Sequence, residues 1–124
     1  MAGMNNFFFF DTYALFEITR GNSAYLSYTE ALAATTVFNL AEFNYGLKKE
    51  IDIHTADSLT EKFSPYLVEV TVQDVQKAMS LKIKQKDLSI PDVVGYIVAQ
   101  RLNIKFLTGD EDFRNLPNVE FIKK

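Results

Sequence analysis

Cysteine is absent from the 124 residues, and histidine occurs once, at His54. The first absence excludes a disulfide framework, a thiolate nucleophile and a zinc–thiolate site. The second excludes a multi-histidine metal centre. No apolar run approaches the length of a membrane span, and no basic segment precedes the first apolar stretch, so neither membrane insertion nor a signal peptide is expected. A soluble, cytoplasmic protein is the simplest expectation. An excess of positive charge is also missing: 13 Lys and Arg face 16 Asp and Glu, for a net charge of −3. That balance argues against a general nucleic-acid coat protein, which is normally basic. It leaves nucleic acid open as a substrate, because gathered carboxylates lower the net charge and bound divalent cations would offset them.

What is present is ordinary for a globular chain, at 48% hydrophobic and 23% charged residues. The length suits one domain spanning 1–124. Apolar Asn5–Phe10 predicts a short buried strand, since such strands run continuously apolar rather than alternating. A helix is expected over Thr12–Arg20, stopped by Gly21-Asn22, and a second short helix over Ser23–Leu32. Ala33–Thr36 reads as a brief strand before a helix over Val37–Glu50, with Thr35 or Thr36 as its cap. Ile51–Phe63 reads as another helix ended by Pro65, and Leu67–Val70 as a strand. Thr71-Val-Gln-Asp74 is a capping box for a helix ending near Lys86. Ser89-Ile-Pro-Asp92 starts a further helix, with Val93, Val94, Ile97 and Val98 on one stripe. Ile104–Leu107 and Val119–Ile122 complete the strands. Short apolar strands alternating with amphipathic helices predict an α/β fold: a three-layer α/β/α sandwich around a mainly parallel sheet.

Four acids stand out in this frame. Asp11 follows the Phe7–Phe10 run, Glu42 lies within a largely apolar helix, Asp92 opens a helix, and Asp110 follows Lys-Phe-Leu-Thr-Gly. Ligands of parallel α/β sheets gather beyond the carboxyl ends of the strands, where Asp11 and Asp110 both fall. Carboxylates drawn into one pocket repel each other, and a hard cation between them relieves that cost. Each acid also has a plain structural reading. Asp11 suits an N-cap. Glu42 sits at the edge of the apolar helix face beside Asn39 and Gly46, where solvent explains it equally well. Asp92 completes a capping box, and Asp110, Glu111 and Asp112 form an acidic loop of the kind that is usually solvated. Singly, none decides the matter; their order and spacing do.

Asp11-Thr-Tyr-Ala-Leu, Thr36-Val-Phe-Asn-Leu-Ala-Glu42-Phe, Ser89-Ile-Pro-Asp92 and Phe106-Leu-Thr-Gly-Asp110-Glu-Asp112-Phe resemble, in order, the successive motifs of the PIN-domain family. The resemblance covers nearly the whole chain, whose size is similar to that of VapC-type toxins. It implies a metal-dependent endoribonuclease with Asp11, Glu42, Asp92 and Asp110 as the catalytic carboxylates. Asp11, Asp92, Asp110 and Asp112 would bind metal, while Thr12 and Thr108 would support the acids from the rim. It further implies an RNA substrate, a small antitoxin partner that restrains the enzyme, and pairing into a homodimer. Tyr13 departs from the pattern, since many members carry a small polar residue there.

An all-oxygen site suits Mg²⁺ or Mn²⁺. Such an ion polarises a phosphoryl oxygen and activates water, a step in which Glu42 can position or deprotonate that water. Covalent catalysis is disfavoured because no Ser–His pairing is available. Candidate phosphate contacts are Arg20, Lys48, Lys49, Lys82, Lys84, Lys86, Arg101 and Arg114. Lys82, Lys84 and Lys86 wrap around their helix rather than forming a stripe, as a solvated helix end would. His54 reads as an ordinary surface residue. Competing readings are an RNA-processing PIN nuclease without an antitoxin and a PIN-like RNA-binding module that has lost catalysis. A receiver-like signalling domain fits less well: it would need an early acidic pair and a Lys after a late strand, where Thr108-Gly-Asp110 stands instead.

Overall fold

Four consecutive phenylalanines form one of the two central strands of the sheet. In the computed structural model, which describes residues 6–123, β1 is Phe7–Phe10. Successive side chains of a strand point to opposite faces. Phe8 and Phe10 therefore enter one hydrophobic cluster and Phe9 the other, and all three are buried. A strand apolar on both faces needs cover on both, which imposes the three-layer architecture.

The sheet contains β2 (Leu32–Ala34), β3 (Lys105–Thr108) and β4 (Val119–Phe121) besides β1, in the order β2-β1-β3-β4. Every pairing is parallel, with Phe9 opposite Ala34 on one side and Phe106 on the other. Helices α1 (Thr12–Thr19), α2 (Val37–Glu50) and α3 (Ile53–Glu61) cover the Phe8 and Phe10 face through Leu15, Leu40, Phe43, Leu47 and Ala56. Helices α4 (Val72–Lys84) and α5 (Ile90–Arg101) cover the Phe9 face through Ala78, Val93, Val94 and Val98. Among the described residues no helix is long and apolar enough to cross a membrane.

Local chemistry sets the helix limits. Both expected capping boxes form, Thr71 with Asp74 and Ser89 with Asp92, and each satisfies otherwise orphaned N–H groups. Thr36 rather than Thr35 caps α2, accepting from the Asn39 N–H, while the Thr35 hydroxyl donates to the Phe10 carbonyl at 2.9 Å. Helix α1 ends in a Schellman turn. Gly21, at φ +74°, donates to the Ile18 carbonyl and Asn22 to that of Glu17.

Three expectations change. The short helix expected over Ser23–Leu32 is a 3₁₀ helix over Ser23–Glu30, with Asn22 capping its start and Leu32 already in β2. Leu67–Val70 is not a strand: it makes one bridge, Leu67 to Thr35, and Pro65 lies in a short 3₁₀ turn, Ser64–Tyr66, just before it. A strand needs a continuous ladder, and β2 offers only a short edge. Asp52, capping Thr55 at 2.9 Å, delays the start of α3 to Ile53. Asn5, the expected first residue of β1, lies outside the described residues.

Where α5 crosses the sheet, Gly95 makes a close approach possible. A Cβ there would lie 2.7 Å from Cε1 of Phe9 and 3.1 Å from Oδ1 of Asn39, both on fully buried side chains. Gly95→Ala should therefore destabilise the protein. Overpacking costs roughly 1–3 kcal/mol, and with contacts this short against fully buried side chains it outweighs the gain of about 1 kcal/mol in helix propensity. Urea unfolding should show a lower midpoint at unchanged slope; a raised midpoint would contradict the packing described.

Candidate functional site

Strand order reverses between β1 and β3, because the chain runs from β1 outward to β2 and later returns to place β3 on the other side of β1. In parallel α/β sheets that switch point opens a crevice at the carboxyl ends of the strands. Asp11 follows β1 there and Asp110 follows β3 by two residues. Asp92 enters from the first turn of α5, and Glu42 from the middle of α2. All four line one cleft of about 460 Å³, together with Thr12, Tyr13, Phe16, Tyr45, Gly46, Lys49 and Ser89.

Asp11 lies deepest, 1% exposed. Its N–H donates to the Leu107 carbonyl at 3.2 Å, extending the β1–β3 ladder by one step. Its Oδ2 accepts from the Thr108 hydroxyl at 2.7 Å. Its Oδ1 is buried and has no hydrogen-bond partner among the described residues. An orphaned carboxylate oxygen in a protein interior is costly. Burial chiefly, then the charge of Asp92 and more weakly that of Glu42, holds the Asp11 carboxyl well above the ordinary carboxylate range; the Thr108 hydroxyl and, after it, the Thr12 N–H oppose them. Thr108 also accepts the Asp110 N–H at 3.1 Å, so one hydroxyl joins the ends of both central strands.

Asp92 serves as cap and cleft residue together. Its Oδ2 accepts the Ser89 N–H at 2.8 Å, and its own N–H donates to the Ser89 hydroxyl. That hydroxyl reaches Oε2 of Glu42 at 3.4 Å, tying α2 to the start of α5. Burial pushes the Asp92 carboxyl up to about 6; the Ser89 N–H resists, and Glu42 and Asp110 reinforce the rise. The capping and site readings of this residue are therefore compatible.

Asp110 caps the Glu111–Phe113 turn, accepting the Asp112 N–H at 3.0 Å. The Asp112 side chain is exposed and does not line the cleft, and its carboxyl is raised first by the Asp110 charge. Gly109 keeps this loop close to the site. A Cβ there would lie 2.4 Å from the Ile122 carbonyl and 2.4 Å from the Tyr13 ring. Thr12, buried, accepts at its hydroxyl from Nδ2 of Asn39, and Oδ1 of Asn39 accepts from the Thr36 hydroxyl at 2.7 Å. Asn39 escaped the sequence reading as a functional residue. Its signal was a polar residue three positions before Glu42 in an apolar helix. The Ser89 link to Glu42 was invisible because it spans two helices.

Among the candidate cations, most are engaged elsewhere. Arg20 pairs with Glu17 and Glu50, Lys48 with Asp57, Arg101 with Asp74, and Arg114 with Glu111. Lys82 donates to the Leu88 carbonyl. Lys49 is the one that lines the cleft, with its ammonium 4.8 Å from the centre of the Tyr45 ring. His54 is exposed on α3, as expected.

The donor set fits a hard divalent cation: all oxygen, anionic, and including a buried oxygen that lacks a partner. Among the described residues no group of three or more acidic or histidine side chains stands close enough together to hold a metal ion by itself. Mg²⁺ keeps several waters and does not require an all-protein cage.

The chain belongs to the PIN-domain family: the PIN domain model matches residues 8–119. Members of this family are generally nucleases. In structure the chain is similar to a toxin–antitoxin complex from Klebsiella pneumoniae, at TM-score 0.73 and 22% identity over 90% of this chain and 94% of that one. It is also similar to VapBC2 from Rickettsia felis, solved with a DNA fragment of its promoter, at 0.69 and 16% over 94% and 98%. VapBC-1 from nontypeable Haemophilus influenzae matches at 0.68 and 12%, over 94% and 97%. At these identities the likeness concerns the fold. No curated protein sequence matches the chain.

The raised carboxyls make stability depend on pH. The folded state binds the Asp92 proton more tightly than the unfolded chain does, so that contribution is complete below the ordinary value of 3.8 and is lost as pH rises through about 6. Asp92→Asn, which can still accept the Ser89 N–H, should raise the stability of the metal-free protein at neutral pH by roughly 1–2 kcal/mol, less than the full shift because Asp92 retains some solvent. Thermal melts in EDTA should show the gap between variant and wild type opening between pH 4 and 7. A gap independent of pH would contradict this electrostatic account.

Proposed function

We propose that the protein is a divalent-metal-dependent endoribonuclease, the toxin of a VapBC-type toxin–antitoxin pair. The observation that carries the enzymatic reading is the unpartnered, buried oxygen of Asp11, set among Asp92, Glu42 and Asp110 at the switch point of the sheet. A carboxylate kept there at a cost to stability is best explained by a cation that it binds in function. The similarity to chains of toxin–antitoxin complexes supports the biological context.

Asp11, Asp92 and Asp110 would hold Mg²⁺ or Mn²⁺, with exposed Asp112 adding charge from outside the cleft wall. When bound, the ion polarises a phosphoryl oxygen and lowers the pKa of water. The chain's own residues supply position and proton transfer. Thr108 holds Oδ2 of Asp11 by its hydroxyl, which would leave Oδ1, without a hydrogen-bond partner among the described residues, for the cation. The Ser89 N–H fixes Asp92, and the Ser89 hydroxyl holds Glu42 at the cleft wall. Glu42 would then accept a proton from the water that attacks phosphorus as one ester bond breaks, the departing oxygen taking its proton from solvent. Asn39 anchors Thr12, and with it the start of α1 beside Asp11. The antitoxin partner would cover the cleft with an apolar segment, and a basic side chain directed at the acids would neutralise them.

Purified protein incubated with RNA should cleave it in Mg²⁺ or Mn²⁺ and stop in EDTA. Asp11→Asn and Asp92→Asn should each reduce cleavage by at least about 100-fold, and Thr108→Val should reduce it more than Thr108→Ser. Cleavage that persists in EDTA, or is indifferent to both Asp substitutions, would sink the metal-nuclease reading.

A further inference from the structure

Asp110 is the one acid of the cleft carried by a loop two residues beyond its strand, and that loop has to keep it on the cleft wall. The bonds Asp110 makes are local: its N–H donates to the Thr108 hydroxyl at 3.1 Å, and its Oδ1 accepts the Asp112 N–H at 3.0 Å. Fully buried Phe113 anchors the far end of the turn. The near end is Gly109, which has no side chain to anchor it. Two neighbours close on it instead. A Cβ at Gly109 would meet the Ile122 carbonyl oxygen at 2.4 Å, and Cε1 and Cζ of Tyr13 at 2.4 and 2.6 Å. Gly109 does not adopt the left-handed conformation, so space rather than backbone freedom calls for glycine here.

Both neighbours are themselves held. The Ile122 N–H donates to the Thr108 carbonyl at 2.9 Å, and its carbonyl accepts the hydroxyl of fully buried Tyr25 at 2.6 Å. Tyr13 lies against that same tyrosine, with ring centres 6.3 Å apart. It is the second residue of α1, two positions after Asp11, so the helix that starts at Asp11 carries the ring that meets the Asp110 loop. The same ring lines the cleft. This is also the position where the chain departs from the small polar residue of many PIN domains. A side chain of that size stops short of Gly109. Like charges across the cleft push an unsupported loop outward, and a close-packed ring opposes that movement because packed interiors yield little.

We propose that Tyr13 is a positioning residue of the cation site: its ring, wedged against Gly109, keeps the Asp110 carboxylate on the cleft wall. This rests on the metal-dependent reading above and adds to it a support specific to this chain. Tyr13 touches no reacting atom in this role; it acts through Gly109 and Asp110.

The test combines calorimetric titration with Mn²⁺ and amide hydrogen exchange in EDTA, on wild type, Tyr13→Phe, Tyr13→Leu and Tyr13→Ser. Tyr13→Phe keeps Cε1 and Cζ and should bind Mn²⁺ as wild type does. Leucine ends at Cδ, short of those atoms, while staying apolar beside Tyr25; serine is smaller still. Both should weaken Mn²⁺ binding by about 10- to 100-fold, the range for groups that orient metal ligands. In both, the Asp110 and Asp112 amides should exchange faster while those of Phe9 and Phe106 in the sheet do not, which separates a displaced loop from a loosened fold. Tyr13→Leu decides the matter even where Tyr13→Ser does not fold. Wild-type Mn²⁺ affinity in Tyr13→Leu overturns the role, and so does equal weakening in Tyr13→Phe, because the ring would not then be what acts. Weaker binding accompanied by faster exchange throughout the sheet overturns it too, as a general loss of stability. Wild-type protein that binds no Mn²⁺ defeats the cation reading instead; exchange at Asp110 in EDTA needs no metal and still decides whether the wedge holds the loop.

Discussion

The buried carboxylate of Asp11 is the constraint on which the rest of this structure turns. It sits at the end of an enclosed strand, with one oxygen held by Thr108 and the other without a hydrogen-bond partner among the described residues. Three further acids surround the same cleft. An interior of low polarity magnifies repulsion between like charges, so the arrangement persists only because the fold around it leaves the acids little freedom to separate. The ladder bond from Asp11 to Leu107, the Ser89–Asp92 box and the Asn39–Thr12 contact each fix one element of that frame.

The frame in turn depends on β1. With Phe9 on one face and Phe8 and Phe10 on the other, the strand must be covered twice, and the two helical layers supply the side chains that surround its end. Glu42 comes from one layer and Asp92 from the other. The cleft is therefore a junction of both layers at the strand-order reversal, and the hydrogen bond from Ser89 to Glu42 crosses it. Stability and chemistry share residues here: the capping box that starts α5 also presents Asp92.

Much of this was legible along the chain because it is local. The two capping boxes, the apolar strands and the Gly21 stop are written in neighbouring residues, and parallel strands joined by helices left few alternatives for the fold. What could not be read depended on distant partners. Whether Leu67–Val70 becomes a strand is decided by how much edge β2 exposes, and only Thr35 receives it. The turns at Ser23–Glu30 look helical in composition but close with tighter bonds. Within the cleft the acids were visible by their order. The supports were not: Asn39 binds Thr12 across 27 positions and Ser89 reaches Glu42 across 47. Asp112 shows the opposite limit, since adjacency in sequence to Asp110 did not bring its side chain to the cleft wall.

The central claim is that these carboxylates are held together for a cation, and proton-linked metal binding tests it most directly. Calorimetric titration of the protein with Mn²⁺ at several pH values, in buffers of different ionisation heat, counts protons released per ion bound. Because Asp92 is raised to about 6 and Asp11 is also raised, binding near that pH should displace protons, and affinity should strengthen as pH rises through the same range. Asp11→Asn should abolish the heat of binding. Mn²⁺ binding that releases no proton across this window, or that survives Asp11→Asn unchanged, would contradict the account.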